Sequence, residues 1–315
     1  MSQKILVIGA GELGTEVLLS LAQHPNSTDA SISALLRPST ISSTPPSKAK
    51  EIQALKSNKV TLVSGDVALD TMESLTSTFT DYDTIISCTG FSAGKGTQLK
   101  LATAILAAKV SRYIPWQFGV DYDIIGRGSA QDLFDEQLDV RDLLRSKEEN
   151  KQTKWVIIST GMFTSFLFEK SFGVVDLERG VVRALGGLEN RVTLTGVKDI
   201  GRVTAEVVLG QSSKEEEKDV WEREDGIIHV AGDTVSYGQV ADILETVLER
   251  QFERRVRTVE GAKEDLRKDP ENGLYKYEIV FGEGKGVAWD VENSWNVKHG
   301  IRGQSVEEWV RANLT

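Results

Sequence analysis

Three glycines near the amino terminus have the spacing of a phosphate-binding turn. Gly9, Gly11 and Gly14 follow an apolar run at residues 4–8 and open a segment whose apolar residues have helical spacing. In such a unit the first glycine permits a tight turn, the second lets backbone amides approach a pyrophosphate, and the third lets the helix pack against the strand. The helix dipole then favours the phosphates. The predicted dinucleotide contacts, against the alternative of a turn without ligand, are Gly9, Gly11, Glu12, Leu13 and Gly14.

The end of the second predicted strand selects between the two nicotinamide cofactors. An NAD enzyme carries a carboxylate about 20 residues past the glycines, where it bonds the ribose hydroxyls. This chain has Arg37 there, followed by Ser39, Thr40 and Lys48. A guanidinium holds a phosphate with two parallel hydrogen bonds, and the other three side chains offer further donors. The sequence therefore predicts NADPH, and the alternative for Arg37 is a surface cation.

Two further strand ends are expected beside this cofactor, because ligands gather at the carboxyl ends of parallel strands where the strand order reverses. Thr89 and Gly90 follow one apolar run, and we expect them beside the ribose and pyrophosphate. Phe118 and Gly119 follow another, and we expect them nearer to the nicotinamide. An ordinary loop is the alternative at each position.

These positions require strands that alternate with helices, and the apolar periodicity predicts that alternation. Runs typical of buried strands lie at residues 4–8, 31–36, 60–66, 84–90, 112–116 and 155–159. Between them lie segments of helical spacing, apart from a loop of turn-forming residues at 37–46. This order is typical of the α/β class with a doubly wound parallel Rossmann sheet. We expect the NADP-binding domain at residues 1–160 and a smaller, mixed α/β C-terminal substrate lobe at 161–315, partly interleaved with it.

Composition and charge argue against several other classes of protein. The 315 residues carry a net charge of −10, without the basic stripe that nucleic-acid binding needs. The three histidines and the single cysteine, Cys88, lack metal-ligand spacing, so no metal is predicted. We expect a cytoplasmic protein, because no secretion signal or membrane-length apolar run is seen. The oligomeric state stays open, and the charged run at residues 212–219 is interpreted as a solvated loop.

With these segments placed, the chain resembles the NmrA-like, isoflavone-reductase-like branch of the atypical short-chain dehydrogenases, in its fungal type. The resemblance covers nearly the whole chain. It implies a Rossmann domain with a smaller substrate lobe, and NADPH-dependent reduction of aromatic or polyketide-like small molecules in secondary metabolism. The motifs that carry it are the glycine turn, Arg37-Pro38, residues 112–119 (RYIPWQFG), residues 197–201 (VKDIG) and residues 286–290 (GVAWD).

One departure from this family concerns the proton that a reduction consumes. The resemblance implies a catalytic lysine on the helix after the fifth strand, and matching Phe134 and Arg141 puts Gln137 at that position. A lysine of lowered pKa transfers protons, whereas glutamine cannot titrate. Gln137 shares a helix face with Val140 and Leu144, so we expect an inward amide. It either orients a carbonyl group or a water molecule, or is satisfied by neighbouring backbone.

A tyrosine is the next candidate for a proton donor. The common signature Tyr-x-x-x-Lys is absent, since none of the six tyrosines has a lysine four residues later. Tyr122, just past the fifth predicted strand, is the expected substitute, because a phenol can donate a proton to a developing alkoxide. The alternative is an aromatic side chain packed on the sheet edge.

Aromatic and sulfur-containing side chains near two predicted strand ends suggest an apolar substrate pocket. They are Trp116, Met162, Phe163 and Phe166, and ordinary core packing is the alternative. The expected function is an NADPH-dependent reductase that acts on a carbonyl group or conjugated double bond of an aromatic small molecule. Two alternatives remain because Gln137 cannot titrate: a redox-neutral isomerase, cyclase or dehydratase, and a regulatory protein that senses NADP(H) without turnover.

Overall fold

The computed structural model describes residues 2–146, 152–210 and 220–315 of the chain. The charged run at residues 212–219 lies outside the described residues. The strands, numbered in chain order, are β1 Gln3–Ile8, β2 Ala30–Leu36, β3 Thr61–Ser64, β4 Thr84–Ser87, β5 Arg112–Ile114, β6 Lys154–Trp155, β7 Ile157–Ser159, β8 Met162–Phe163, β9 Val175–Asp176, β10 Val181–Leu185, β11 Arg191–Thr195, β12 Ile227–His229, β13 Asp233–Ser236 and β14 Glu253–Arg257.

The helices alternate with the early strands and dominate the last third of the chain. They are α1 Glu12–Gln23, α2 Pro38–Ile41, α3 Pro46–Ser57, α4 Met72–Phe79, α5 Thr97–Ala107, α6 Tyr122–Ile125, α7 Leu133–Arg145, α8 Thr164–Leu167, α9 Val197–Leu209, α10 Tyr237–Leu248, α11 Val259–Lys268, α12 Gly273–Glu283, α13 Trp295–Lys298 and α14 Val306–Leu314. Short 3-10 helices lie at Pro25–Asp29, Phe91–Ala93, Val220–Glu222 and Val291–Asn293.

The main sheet has six parallel strands in the order β3-β2-β1-β4-β5-β6. The strand order reverses at β1, which has β2 on one side and β4 on the other. Ile5, Leu6 and Val7 of β1 are fully buried, as strands of a parallel sheet are when helices cover both faces. The predicted doubly wound Rossmann sheet is therefore confirmed.

The chain divides into two compact units that interleave along the sequence. The first unit contains Met1–Gln117, Asp139–Ile158 and Ile200–Ile228, and the second contains Phe118–Leu138, Ser159–Asp199 and His229–Thr315. The six-stranded sheet belongs to the first unit. Our division of cofactor and substrate binding between residues 1–160 and 161–315 stays a prediction.

The second unit combines two small sheets with helices. The strand orders are β14-β10-β9 and β13-β11-β8, and both sheets mix parallel and antiparallel pairs. Glu278 of α12 is buried and accepts hydrogen bonds from Arg183 at 2.5 Å and Arg257 at 2.7 Å. Two guanidinium partners compensate the burial of this carboxylate. The mixed α/β character that we predicted for the C-terminal lobe is confirmed.

The sixth apolar run does not form one continuous strand, as we had expected for residues 155–159. Its first part is β6, and the Val156 amide still donates to the Tyr113 carbonyl of β5 at 3.1 Å. The next amide, of Ile157, donates instead to the Gly226 carbonyl at 2.7 Å, and β7 pairs with β12. The run is divided because its hydrogen-bonding partner changes, which apolar periodicity does not report.

The segment at residues 37–46 also differs from the expected loop. It contains the short helix α2, and α3 begins at Pro46. Both helices have proline in the first turn, where the missing amide would have no helical partner and the fixed φ suits the helix. Two prolines of the predicted loop therefore start helices here.

Gly201 on α9 lies where that helix touches α1, because a Cβ atom at Gly201 would be 2.6 Å from the Glu16 carbonyl oxygen. We expect Gly201→Ala to lower the free energy of unfolding by about 1–3 kcal/mol, as overpacking does. The control is Gly273→Ala on α12, where an added Cβ meets nothing within 4 Å. Urea denaturation of both variants measures the difference, and equal midpoints would contradict this account of the helix contact.

Candidate nucleotide and substrate sites

The turn between β1 and α1 places its three glycines in different surroundings. Gly9 has φ +93°, and a Cβ there would lie 2.6 Å from Thr89 Oγ1. A Cβ at Gly14 would lie 2.2 Å from the Gly9 carbonyl oxygen, so the start of α1 packs directly on the turn. Gly11 differs, since an added Cβ would meet nothing within 4 Å. The first and last glycines are required by the protein's own packing, whereas Gly11 faces open space.

Gly11 is also the N-cap residue of α1, and no side chain caps this helix. The amide groups of the first turn, which include those of Glu12, Leu13 and Gly14, point out of a helix end because they lack carbonyl partners within the helix. An open position beside such amides fits a pyrophosphate group. The geometry of the turn is therefore that of a dinucleotide-binding cradle, and we call residues 9–14 the glycine cradle.

Thr89 and Gly90 lie against this cradle, after the end of β4. Thr89 Oγ1 donates to the Ile8 carbonyl at 3.1 Å, and Gln98 Nε2 donates to the Thr89 carbonyl at 2.8 Å. A Cβ at Gly90 would meet the Trp116 ring at 3.0 Å. Both residues are where a ribose and pyrophosphate would pass if the cradle held a nucleotide, and their contact with a cofactor stays a prediction.

Arg37 follows β2 on the side of the cradle. The Gly9 amide donates to the Leu35 carbonyl at 3.1 Å, which places Arg37 two residues beyond a direct contact with the turn. The Arg37 carbonyl accepts the amides of Thr40 and Ile41 at the start of α2. Its side chain is exposed and makes no hydrogen bond or ion pair within the part of the chain that the structure describes. The guanidinium is thus available to an anion from solution, and exposed Ser39 follows it.

Lys48 of α3 brings a second cation to the cradle. Its Nζ donates to the Ala10 carbonyl at 2.8 Å and pairs with Glu51 at 2.6 Å. The side chain is half-buried, with 29% exposure. The sequence offered Lys48 only as a possible further donor, because neither the helix that carries it nor its reach to Ala10 was predicted.

In the second unit, Phe118 and Gly119 begin the segment that follows β5. Both the Thr160 and Gly161 amides donate to the Gly119 carbonyl, at 2.9 and 3.0 Å. The Tyr122 hydroxyl turns back toward this residue, because a Cβ at Gly119 would be 2.8 Å from it. Phe118 and Tyr122 are both buried, at 5% and 4% exposure. The structure thus joins Gly119, which we expected nearer to the nicotinamide, with Tyr122, the candidate proton donor.

Gln137 lies on α7 and is fully buried, as the helix pattern predicted. Arg141, one turn later, is also fully buried, and its Nε donates to the Gln117 amide oxygen at 2.8 Å. The helix that would carry the family lysine thus buries polar side chains at both positions, and the role of Gln137 stays a prediction.

Aromatic side chains of the second unit form a connected cluster, which we call the aromatic cluster. Tyr122 meets Phe134 with ring centroids 4.8 Å apart, and Phe166 stacks on Phe172 at 4.5 Å. Tyr277 lies 6.0 Å from both Phe134 and Phe166 and joins the two pairs. Burial raises the pKa of the Tyr277 phenol to about 12, so it is neutral at physiological pH.

The other predicted pocket residues are divided between the units. Met162 and Phe163 form β8, directly before the helix that carries Phe166. Trp116 belongs to the first unit, where its ring meets Phe91 at a centroid distance of 4.5 Å. Of the four predicted pocket residues, only Phe166 is a member of the aromatic cluster.

A histidine–aspartate pair in the second unit was not predicted. His229 Nε2 lies 3.0 Å from Asp121 Oδ2, and the Trp289 ring packs edge-on against the imidazole at a centroid distance of 4.8 Å. The two paired residues are 108 positions apart in the sequence. No local pattern joins them, and the segment at residues 286–290 that we noted by resemblance was the only signal near the Trp289 side chain.

The described ranges contain neither a metal-binding cluster nor a membrane-spanning helix. No group of three histidine, cysteine, aspartate or glutamate side chains there could hold a metal ion. None of the helices in those ranges is long and apolar enough to cross a membrane. Cys88 is buried, and burial raises the pKa of its thiol, which leaves it protonated and unreactive.

The fold and these sites can be compared with known proteins. The model of the NmrA-like family matches residues 1–309. An NmrA-like family domain-containing oxidoreductase of Gibberella moniliformis is 46% identical over 312 residues, which cover 99% of this chain and 98% of that protein.

Solved structures agree on the fold. A crystal structure of isoflavone reductase superposes with a TM-score of 0.76 at 17% identity, over 99% of both chains. The quinone oxidoreductase QOR2 of Escherichia coli, in complex with NADPH, gives 0.72 at 20% identity, over 99% of this chain and 100% of that chain. The family that the motifs suggested is confirmed: the chain belongs to the NmrA-like family and lies among its oxidoreductases.

Proposed function

We propose that this protein is an NADPH-dependent reductase of a carbonyl group or conjugated double bond in an aromatic small molecule. The observation that carries the proposal is the glycine cradle, which is open at Gly11 and has the exposed guanidinium of Arg37 beside it. When bound, NADPH supplies a hydride to such a substrate. The oxidoreductase of Gibberella moniliformis and the NADPH complex of the quinone oxidoreductase support this assignment.

Different residues of the first unit bind different parts of the nucleotide. The amides at Gly11, Glu12 and Leu13 bind the pyrophosphate, because they lie at the N-terminus of α1, where the helix dipole favours an anion. Arg37 binds the 2′-phosphate through its two parallel N–H groups, with Ser39 as a further donor. Lys48 holds the Ala10 carbonyl and adds positive charge on the same side. Thr89 and Gly90 line the path toward the ribose.

The residues of the second unit suit an aromatic substrate. The aromatic cluster offers ring faces and edges, which prefer to contact other rings. The phenol groups of Tyr122 and Tyr277 are hydrogen-bond donors to a substrate oxygen. Phe118 and Gly119 border the nicotinamide, and the Gln137 amide orients the carbonyl group or a water molecule, since it cannot supply a proton.

Reversing the charge at residue 37 tests the cofactor assignment. We expect Arg37→Glu to raise the Kd for NADPH by about 10- to 100-fold, because a charge-assisted hydrogen bond contributes about 1.5–3 kcal/mol. The Kd for NADH should change little or fall, since NADH lacks the 2′-phosphate. Isothermal titration of the variant with each cofactor measures both constants.

The matched control for this experiment is Arg179→Glu, because Arg179 is an arginine with 82% exposure in the second unit. The Arg179→Glu variant has the same change of net charge as Arg37→Glu, at a residue without a proposed role. Equal loss of NADPH affinity in both variants, or wild-type protein that binds NADH as tightly as NADPH, would contradict the assignment of Arg37.

Isotope transfer tests the reaction itself. We expect wild-type protein to oxidise NADPH with menadione, 4-phenyl-3-buten-2-one or 4-hydroxyacetophenone. Deuterium from C4-labelled NADPH should appear at carbon in a product of the enone or the ketone, as mass spectrometry would detect. A product without label would favour the redox-neutral isomerase, cyclase or dehydratase, for which the non-titrating Gln137 is the specific argument. Tight NADPH binding without turnover of any probe would instead favour the sensing protein.

A further inference from the structure

The His229–Asp121 pair is built rigidly within the second unit. Asp121 has 6% exposure and is the N-cap residue of α6, where its Oδ1 accepts the amide of Asp123 at 3.1 Å. Its other oxygen, Oδ2, is the one that meets His229 Nε2 at 3.0 Å. The carboxylate therefore cannot turn without breaking the cap, and it fixes the plane of the imidazole.

The free side of the imidazole is accessible. The His229 side chain is 36% exposed, and its Nδ1 makes no hydrogen bond within the described residues. A carboxylate on one nitrogen of a histidine determines the tautomer and leaves the other nitrogen for chemistry. Such a carboxylate also stabilises the imidazolium form, as it does when histidine acts as an acid or base in other enzymes.

Trp289 supplies a second, independent observation. Its indole N–H is buried and has no hydrogen-bond partner in the described part of the chain. Leaving such a donor unsatisfied is destabilising, so an unpartnered one suits a site where another molecule provides the acceptor. The same ring packs against His229, so the free Nδ1 and the free N–H belong to neighbouring side chains.

The segment before Trp289 holds the indole in place. The Asp121 amide donates to the Gly286 carbonyl at 2.9 Å, and the Thr193 amide donates to the Val287 carbonyl at 3.0 Å. The Trp289 amide in turn donates to Thr193 Oγ1 at 3.0 Å. The segment at residues 286–290, which is similar to a segment of fungal relatives, thus connects the turn at Asp121 with β11. It fixes the two residues that contact His229, which are Asp121 and Trp289.

We propose that His229 and Trp289 bind one oxygen atom of the substrate, and that His229, oriented by Asp121, donates the proton that Gln137 cannot. The proposal rests on the reductase function proposed above and names its acid. Hydride addition to a carbonyl carbon moves the C=O π electrons to oxygen. The imidazolium N–H bond then breaks and an O–H bond forms, which leaves an alcohol and a neutral imidazole. Water reprotonates the imidazole, so one hydride and one proton are consumed in each turnover.

The proton transfer from His229 makes kcat/KM depend on pH in one direction. His229 donates only as the imidazolium, so kcat/KM should fall as the pH rises and the imidazole loses its proton. The charged groups on the elements packed against it are Asp121, Asp123 on α6, and Asp290, which pairs with Arg191 at 3.4 Å. The one in direct contact is Asp121.

The test compares two pairs of variants that make the same chemical changes. His229→Gln removes the proton, and Trp289→Phe keeps a ring but removes the N–H. The controls are His299→Gln and Trp295→Phe, because this second tryptophan–histidine pair stacks at 3.9 Å in the same unit. Each variant is loaded with NADPH and assayed from pH 5 to 9 with the three probes used above.

We expect His229→Gln to lower kcat by about 100-fold or more, as loss of a general acid does, and to abolish the fall of kcat/KM at high pH. Trp289→Phe should raise KM about tenfold with kcat less affected, because it removes a binding hydrogen bond. The controls should match the wild type. An unchanged pH profile in His229→Gln would overturn the proposal, even if kcat falls.

Histidine ¹⁵N spectra separate this proposal from the reductase assignment. In protein saturated with NADP⁺, we expect each probe that binds to shift the His229 Nδ1 resonance, and Trp289→Phe to reduce the shift. That result supports the oxygen site even if wild-type protein oxidises no NADPH, which would count against the reductase function alone. A His229 resonance that responds to none of the probes at millimolar concentration overturns the oxygen site.

Discussion

The contact between the start of α1 and the turn after β1 is the constraint on which the nucleotide site depends. A side chain at Gly14 would lie 2.2 Å from the Gly9 carbonyl oxygen, and one at Gly9 would meet Thr89. The helix end can therefore approach the central strand only when both positions lack a Cβ. This close approach orients the amides of the first helical turn toward the carboxyl edge of the sheet, where the strand order reverses. Arg37 and Lys48 reach the same edge from β2 and α3.

The second unit holds polar groups in an aromatic environment. Asp121 accepts an amide of α6 with one oxygen and faces His229 with the other, so one buried carboxylate both caps α6 and orients an imidazole. Tyr277, whose pKa burial raises to about 12, joins two pairs of phenylalanine and tyrosine rings and stays neutral. Such groups present fixed donors beside apolar surfaces, which is what recognition of an oxygenated aromatic molecule requires.

Much of the fold followed from local patterns, whereas the second site did not. The glycine spacing, the apolar runs of β1 to β5 and the buried face of α7 are short-range features, and each predicted its element. The division of residues 155–159 into β6 and β7 depends on which backbone offers the next carbonyl, and the helices at Pro38 and Pro46 depend on proline in a first turn. His229 and Asp121 are joined across 108 positions, a pairing that only the folded chain creates. Lys48 was named from its charge, but its bond to the Ala10 carbonyl required the position of α3.

The central claim is that Gly11 leaves room for a bound nucleotide. Gly9 and Gly14, by contrast, are required by the protein's own packing. Gly11 has φ −81° and ψ −161°, an extended backbone without a positive φ, and an added Cβ meets no protein atom within 4 Å. The direct measurement is the Kd for NADPH and the urea midpoint of Gly11→Val. We predict a small fall in the midpoint, because valine is a poorer N-cap residue than glycine, with a Kd raised at least about 100-fold, since the side chain would occupy the space of the pyrophosphate. A variant that binds NADPH like the wild type would contradict the account.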